Sequence, residues 1–356
     1  MSLSGGTDDL RVGLIGFGLG GACFHAPLIA ATPGMRLATV VTANPERRAQ
    51  VLRDYPLTRV VDRAERLFEN AAGHDLVVIS TPNRTHVPLA LAAIRAAIPV
   101  VIDKPMAPTA AEARRVVEAA RERGVWISVY HNRRWDNDFL TLRRLLAAQS
   151  LGAVLRFESR LERWRPSAKG GWRELGAPAE AGGLLYDLGT HLIDQALVLF
   201  GPVSDVYAEL DTRRPGIETD DDVFLALRHQ SGVRSHLWTS YLAAEGGPRL
   251  RVLGDRASFV KMHADPQESA LRAGLRPDCK GWGEEPSQEG GILNDGSGRQ
   301  SVRSEAGAYQ QFYASVVGSL VHGKPAPVAA ADAIVGLEII EAARVSAAQR
   351  KVVAVA

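Results

Sequence analysis

The sequence predicts an α/β half built on a doubly wound parallel sheet, followed by an α+β half built on a mostly antiparallel sheet. Three observations carry this. From residue 10 to about 130, short and nearly all-apolar runs alternate with helix-like stretches of roughly 12 to 18 residues, the rhythm of βαβ units whose strands are buried on both faces. Beyond 130 the runs begin to alternate apolar with polar residues, as Val233-Arg234-Ser235-His236-Leu237-Trp238-Thr239 does in part, which suits a sheet with one less buried face. The 356 residues also exceed the size at which one hydrophobic core stops growing, so two domains are expected, 1–131 and 132–356.

In the first half the strand candidates are 11–16, 37–42, 58–61 as a weak edge, 76–80, 100–103 and 126–130. In the second, a helix is expected at 135–148 and strands at 153–161, 203–210, 223–228 and 233–241. The Gly-rich, polar stretch 281–303 reads as a long loop, followed by helices over 305–322 and 330–349. There is no internal repeat.

Composition excludes several classes. Apolar residues make up 46% and charged residues 23% of the chain, with a net charge of +2, which is ordinary for a globular protein and offers no field to draw nucleic acid or an anionic membrane. The two cysteines, Cys23 and Cys279, lie in no metal-ligand or disulfide spacing. The N-terminus, Met1-Ser2-Leu3-Ser4-Gly5-Gly6-Thr7-Asp8-Asp9, lacks the basic start and apolar core of a signal peptide, and no apolar run reaches the ~20 residues of a membrane span. A cytoplasmic protein is expected.

The first strand runs into Gly16-Phe17-Gly18-Leu19-Gly20-Gly21, a G-x-G-x-x-G at Gly16, Gly18 and Gly21 opening an apolar helix. In this context the first glycine permits a tight turn, the second lets the backbone approach a pyrophosphate, and the third allows close helix packing. The helix N-terminus supplies amide donors and positive dipole charge. A dinucleotide-binding Rossmann unit follows, although methyltransferases with an adenosyl cofactor also use Gly-rich turns. An NAD-specific site usually has Asp or Glu at the end of the second strand, whereas this chain has Val41-Thr42-Ala43-Asn44. Thr42 and Asn44 can donate hydrogen bonds, and Arg47 and Arg48 follow closely enough to meet a 2′-phosphate. NADP is therefore the expected cofactor, with NAD as the alternative; Arg47 and Arg48 can equally be solvated residues of a surface helix.

The fifth strand ends Val100-Val101-Ile102-Asp103-Lys104-Pro105, so Lys104 emerges at the carboxyl edge of the sheet, where open α/β folds bind ligands. A cis bond at Pro105 would suit such a turn. Far downstream, Gly182-Gly183-Leu184-Leu185-Tyr186-Asp187-Leu188-Gly189-Thr190-His191 enters an apolar helix running to Phe200. Asp187 and His191 are four apart, which on a helix puts them on one face, so that a carboxylate could orient an imidazole. Such a pair is also often a capping Asp beside a satisfied core histidine. A metal reading has no further ligand cluster to support it.

Taken together, the glycine turn, Asp103-Lys104-Pro105 and Asp187-x-x-x-His191 resemble the glucose-fructose oxidoreductase and inositol dehydrogenase (Gfo/Idh/MocA) family over nearly the whole chain. The likeness is closest to NADP-dependent scyllo-inositol dehydrogenases, through Cys23-Phe24-His25-Ala26-Pro27-Leu28, the tract Ser128-Val129-Tyr130-His131-Asn132-Arg133-Arg134-Trp135, and Tyr186-Asp187-Leu188-Gly189-Thr190-His191. Asp103 departs from the Glu usual before Lys-Pro. The resemblance implies that Lys104, Asp187 and His191 meet at the nicotinamide. Oxidising a secondary alcohol needs a base near neutral pKa at the hydroxyl, for which His191 is the candidate. Lys104 would stabilise developing alkoxide charge, and Asp187 would fix the imidazole tautomer or contact another hydroxyl.

Further cofactor contacts are expected from Ser80, Pro82, Asn83 and His86 after the fourth strand, where similar segments of the family line the cofactor, from Asp103, and from Asn132, which can instead cap a helix. Arg163-Trp164-Arg165-Pro166 and Trp172-Arg173 combine donors with aromatic surface; Arg163 and Trp164 are expected at a polyol or sugar substrate. The family also suggests a homodimer or homotetramer associating through the C-terminal sheet. A sugar or dihydrodiol dehydrogenase, or a dinucleotide-sensing regulator without turnover, remain the competing functions.

Overall fold

The computed structural model describes residues 9–176 and 180–355; the N-terminal tract 1–8, on which the signal-peptide expectation rests, lies outside them. The first half lays down β1 Leu10–Ile15, α1 Ala26–Ala31, β2 Met35–Val41, α2 Pro45–Asp54, β3 Arg59–Val61, α3 Ala64–Phe68, β4 Leu76–Ile79, α4 His86–Arg95, β5 Val100–Asp103, α5 Ala110–Arg123 and β6 Ile127–Tyr130. The strands pair in the order β3-β2-β1-β4-β5-β6, every pair parallel. This is the doubly wound order whose direction reverses between β1 and β4, leaving a crevice at the carboxyl ends of those strands. The apolar runs have the burial they imply: Val12, Leu14, Val40, Val77, Val78, Val100 and Val101 are fully buried between the helical layers. Local signals also set the helices. Asn44 and Thr109 accept from the amides of Arg47 and Glu112 as N-caps, and Gly124 ends α5 in the left-handed region.

The second half contains α6 Asn137–Ala147, β7 Val154–Glu162, α7 Trp172–Leu175, α8 Thr190–Phe200, β8 Val203–Asp211, β9 Asp222–His229, β10 Arg234–Ser240, β11 Leu250–Gly254, β12 Ser258–Lys261, α9 Gln267–Arg272, β13 Gly291–Asn294, β14 Arg299–Val302, α10 Gln310–His322, α11 Ala330–Gln349 and β15 Val353–Ala354. Its nine strands run β14-β13-β12-β11-β7-β10-β9-β8-β15, antiparallel except for the β7–β10 pair. The last two long helices return to the first half: α10 packs on α1 and α11 on α5 and β6, while Ser128 donates to the Val328 carbonyl. Among the described residues no helix is long and apolar enough to cross a membrane.

Two sequence expectations need correction. The stretch 281–303 is not one loop, because it carries the β13–β14 hairpin at the edge of the second sheet. Turn chemistry explains it: Asp295 Oδ1 accepts from the amides of Ser297 and Gly298 at 2.9 and 3.0 Å, and Gly296 has a φ of 88°. The helix expected from 305 begins only at Gln310. Here the backbone is drawn out of helix by tertiary partners, the Glu305 amide bonding Thr141 Oγ1 and the Tyr309 amide bonding Gln267 Oε1.

Candidate active site

The glycine turn follows β1. Gly16 has a φ of 98°, and a Cβ there would lie 2.2 Å from the Ser80 carbonyl oxygen; one on Gly21 would lie 2.1 Å from the Gly16 carbonyl oxygen. These two glycines let the turn press against the end of β4 and let the following segment fold back on it. Gly18 differs. A Cβ there meets nothing nearer than the Arg47 guanidinium at 4.0 Å, so its backbone faces open space that can take a pyrophosphate, and the residues present fit a dinucleotide. The chain then winds through a wide turn, Gly20–His25, into α1.

At the end of β2 the polar groups divide their work. The Asn44 side-chain oxygen is taken by the Arg47 amide at 2.9 Å, and Thr42 Oγ1 lies 3.4 Å from the Asn44 amide. Arg48 donates to the Val60 carbonyl at 3.3 Å, so Arg48 braces the edge strand while Arg47 reaches toward Gly18. Residues 42–44 carry no carboxylate; Glu46 follows in the first turn of α2.

At the end of β5 the Lys104–Pro105 peptide is cis. Asp103 closes this turn from within: Oδ1 accepts the Lys104 amide at 2.8 Å, and Oδ2 accepts Ser80 Oγ at 3.0 Å and His25 Nε2 at 3.3 Å. The other His25 nitrogen lies 2.6 Å from the Tyr313 hydroxyl, and the imidazole rests 4.3 Å from the Tyr130 ring. Burial would raise the Asp103 carboxyl, but the His25 hydrogen bond and the charges of His25 and Lys104 hold it well below the usual carboxylate range.

Opposite stands the turn that starts at Gly183, whose φ of 90° and closeness to Asp220 exclude a side chain. Asp220 accepts the Leu185 amide through Oδ2 at 2.7 Å, and its carbonyl accepts the Leu184 amide. Residues Leu185–Gly189 form a second wide turn that runs directly into α8. Asp187 therefore faces Lys104, with Nζ 3.1 Å from Oδ1 and also donating to the Asp187 carbonyl, and Arg173 approaches Oδ1 at 3.4 Å. Burial opposes ionisation of Asp187, but Lys104 and Arg173 bring its carboxyl down to about 2. The expectation that Asp187 orients His191 is corrected, since two cations attract a carboxylate more strongly than a neutral imidazole does. His191 Nδ1 is buried without a partner among the described residues. Burial, followed by the positive charges of Lys104 and Arg133, lowers its pKa well below the ordinary histidine value.

Asp103, Lys104, Asn132, Arg163, Asp187 and His191 line one cleft of about 210 Å³ together with Leu19 and Gly20 of the glycine turn. Asn132 caps no helix, so its amide is free to serve the cleft. The remaining expected residues lie beside it. Ser80 supports Asp103, and Asn83 Nδ2 donates to the Ala181 carbonyl. Pro82 begins the short turn that carries Asn83. The His86 nitrogens sit 2.8 and 2.9 Å from the Pro105 and Thr81 carbonyls, which ties the two loops together and leaves neither nitrogen for a ligand. Trp164 is not at the cleft. Beyond β7 the chain stays extended, the Arg163 and Arg165 amides bonding the carbonyls of Ser240 and Tyr241; side chains alternate along such a segment, so Arg163 and Arg165 face the cleft and Trp164 is 56% exposed. Tyr241, Glu268 and Arg272 also line the cleft and carry no motif that would have marked them. His25 sat in a recognisable tract, but its role depends on Tyr313, 288 residues away. Among the described residues no cluster of three or more His, Cys, Asp or Glu could hold a metal.

Comparison with known proteins gives the same architecture. The chain is 41% identical to the oxidoreductase YdgJ of Escherichia coli over 97% of its length and 98% of that protein. It is 36% identical to scyllo-inositol 2-dehydrogenase (NADP(+)) IolW of Bacillus subtilis over 98% and 96%. The solved yvaA structure from Bacillus subtilis superposes with a TM-score of 0.93 at 35% identity, covering 99% of this chain and all of that one. The family model described as an oxidoreductase family NAD-binding Rossmann fold matches residues 10–131, and its companion, the C-terminal alpha/beta domain, matches residues 143–355. With both halves matched in order, the chain belongs to the Gfo/Idh/MocA oxidoreductase family.

Proposed function

We propose that the protein is an NADP-dependent dehydrogenase that interconverts a secondary alcohol and a ketone on a polyol, an inositol or a sugar. The observation that carries this reading is the convergence of Lys104 and His191 in one cleft with the glycine turn. A dinucleotide sensor has no use for a cation and a neutral base at that place.

When bound, the nicotinamide cofactor supplies or accepts the hydride. The chain's own residues handle the proton and the charge. In oxidation His191, kept neutral by its surroundings, takes the hydroxyl proton as the carbon–hydrogen bond breaks. Lys104, held by Asp187, presents a positive charge to the oxygen as it becomes negative and then carbonyl-like. Reduction runs the proton the other way. Asp187 fixes the lysine, and Asn132 and Arg163 offer donors to further hydroxyls.

The NADP preference rests on the turn after β2, where Arg47 is the cation beside Gly18 and positions 42–44 hold no Asp or Glu to take the ribose hydroxyls as an NAD site would. The name of the Bacillus relative, a scyllo-inositol 2-dehydrogenase (NADP(+)), supports both cofactor and substrate class. Self-association through the second sheet is supported by its less buried face, where Phe224, Trp238 and His236 cluster and Arg160 lies 3.9 Å over the Trp238 ring. The test is a screen following NADPH absorbance over inositol isomers, sugars and their keto forms. Turnover of a polyol or its ketone is expected, and cofactor binding with no turnover across the panel would overturn the reading in favour of a sensor.

A further inference from the structure

Six cationic side chains, Lys104, Arg133, Arg163, Arg165, Arg173 and Arg272, face three carboxylates in the cleft. Two of those carboxylates are already committed. Asp103 takes Ser80, His25 and the Lys104 amide, and Asp187 takes Lys104 and Arg173. Glu268 on α9 is left to meet Arg133 at 2.8 Å, Arg163 at 3.3 Å and Arg272 at 2.9 Å. Arg133 has a second acid in Asp136, but among the described residues Arg163 and Arg272 form ion pairs with Glu268 alone. Arg165 meets no carboxylate among the described residues. It is held over the Tyr241 ring at 5.1 Å, with Nη1 3.5 Å from the tyrosine hydroxyl.

This excess is not placed for the cofactor. The cleft continues into a chamber of about 580 Å³ that shares Arg133, Arg163, Arg165, Glu268 and Arg272, and every residue lining it lies at position 133 or beyond; its further carboxylates, Glu162 and Asp265, accept the backbone amides of Gly247, Asn137 and Gln267. None comes from the glycine turn or the end of β2, so a dinucleotide on that turn does not bring its phosphates there. Partly dewatered guanidinium groups with too few carboxylates are costly unless an anion joins them. Their planar forks suit a carboxylate or a phosphate bidentately. The backbone bonds fix the main chain at 163 and 165, and the stacking on Tyr241 holds the Arg165 fork in place before any ligand arrives.

We propose that the alcohol or ketone handled by Lys104 and His191 carries an anionic group, a carboxylate or a phosphate, seated against Arg163, Arg165 and Arg272. The substrate class is an acidic polyol or its keto form. This deepens the alcohol–ketone reading of the cleft and rests on it. The neutral ring of an inositol would leave Arg163 and Arg272 sharing Glu268 and Arg165 on the Tyr241 ring, with their excess charge unmatched.

The test measures binding and turnover separately. Gluconate, sorbitol 6-phosphate and sorbitol are titrated calorimetrically into the full chain saturated with NADP, and the same three compounds are assayed for NADPH formation. At least one anion should bind tenfold or more tightly than sorbitol, and its affinity should fall with added salt. Whichever of the two binds identifies the anionic group. The preference should shrink to less than threefold in Arg165→Met or Arg163→Met. Equal binding of sorbitol, no binding of any of the three, or a preference untouched in both variants overturns the proposal, whatever the turnover. Anion binding lost in the variants, with no NADPH formed from these or any other alcohol, upholds the anion seat and overturns the alcohol–ketone reading instead.

Discussion

Lys104 spans the cleft to Asp187, placing its ammonium 3.1 Å from Oδ1 and against the backbone carbonyl of the same residue. One partner comes from the end of the first sheet and the other from the turn entering α8. The pair therefore sets the lysine at the point where both halves meet, and His191 follows one turn later. Replacing Lys104 by Ala removes the charge proposed to steady the reacting oxygen. Turnover should fall about 100-fold or more, while the dissociation constant of the cofactor, measured by fluorescence titration, should change far less. Undiminished turnover defeats the role assigned to Lys104.

The environment of His191 gives a pH prediction. Burial first, then the charges of Lys104 and Arg133, disfavour the imidazolium, so the folded pKa lies well below 6.5. The neutral imidazole, the form the proposed base needs, is then already populated at pH 7 and stays so as pH drops through the ordinary histidine range. For alcohol oxidation, kcat/KM should hold level through pH 6.5 and decline only at lower pH. In ketone reduction, where a proton must be delivered, the rate should rise as pH falls. An acid limb for oxidation centred at or above 6.5 is the result that excludes His191 as this base.

Much of the first half was legible because its strands are buried on both faces, so apolar runs alone revealed them; β1 to β6 each lie within about two residues of expectation. The second sheet hid β11, β12 and the β13–β14 hairpin, whose short strands carry mixed residues such as Arg251, Lys261 and Gln300. Lys261 is fully buried and paired with Glu285 at 2.6 Å, an arrangement that no local pattern announces. The site shows the same division. Lys104, Asp187 and His191 stood in motifs, while Glu268 and Arg272 reach the cleft only because α9 packs beside the turn Gly20–His25. Trp164 was misplaced by a matter of parity, since a shift of one position along an extended chain changes face.

Arg47 and Arg48 looked equivalent in sequence and separate in the structure. Arg48 is committed to the Val60 carbonyl, whereas Arg47 reaches toward Gly18. A charge-assisted hydrogen bond contributes about 1.5–3 kcal/mol, so Arg47→Ala should lower kcat/KM for NADPH roughly 10- to 100-fold and leave that for NADH within about threefold. Arg48→Ala should shift the ratio of the two much less. A wild-type enzyme that clearly prefers NADH would sink the NADP assignment.

The glycines of the turn should also separate by experiment. Gly21→Ala forces a methyl to within 2.1 Å of the Gly16 carbonyl oxygen, a backbone atom that cannot swing aside, and is expected to lower stability by about 1–3 kcal/mol as an overpacking change. Gly18→Ala meets open space and should unfold at the wild-type temperature within a degree or two, yet weaken cofactor binding about tenfold or more if the phosphates approach there as the glycine turn implies. Thermal unfolding and cofactor titration on the two variants check both halves of this statement. Equal cofactor affinity in Gly18→Ala would move the phosphate site away from this turn.

The relay from Tyr313 through His25 to Asp103 is where the last helices of the chain bear on the cofactor half. Tyr313 lies on α10, is fully buried, and makes its 2.6 Å hydrogen bond to the one His25 nitrogen that does not face Asp103. Tyr313→Phe keeps the packing but leaves that nitrogen buried without a partner, so stability measured in urea should fall by about 1–3 kcal/mol. His25→Leu goes further. It removes the hydrogen bond that works against burial at Asp103, whose carboxyl must then rise from its depressed position toward or above the usual range. Protonated Asp103 is a weaker acceptor for the Lys104 amide and for Ser80. The acid limb of the activity profile should therefore move to higher pH in His25→Leu and stay near wild type in Tyr313→Phe, where His25 still faces Asp103. Coincident profiles for all three proteins would reduce the relay to packing alone.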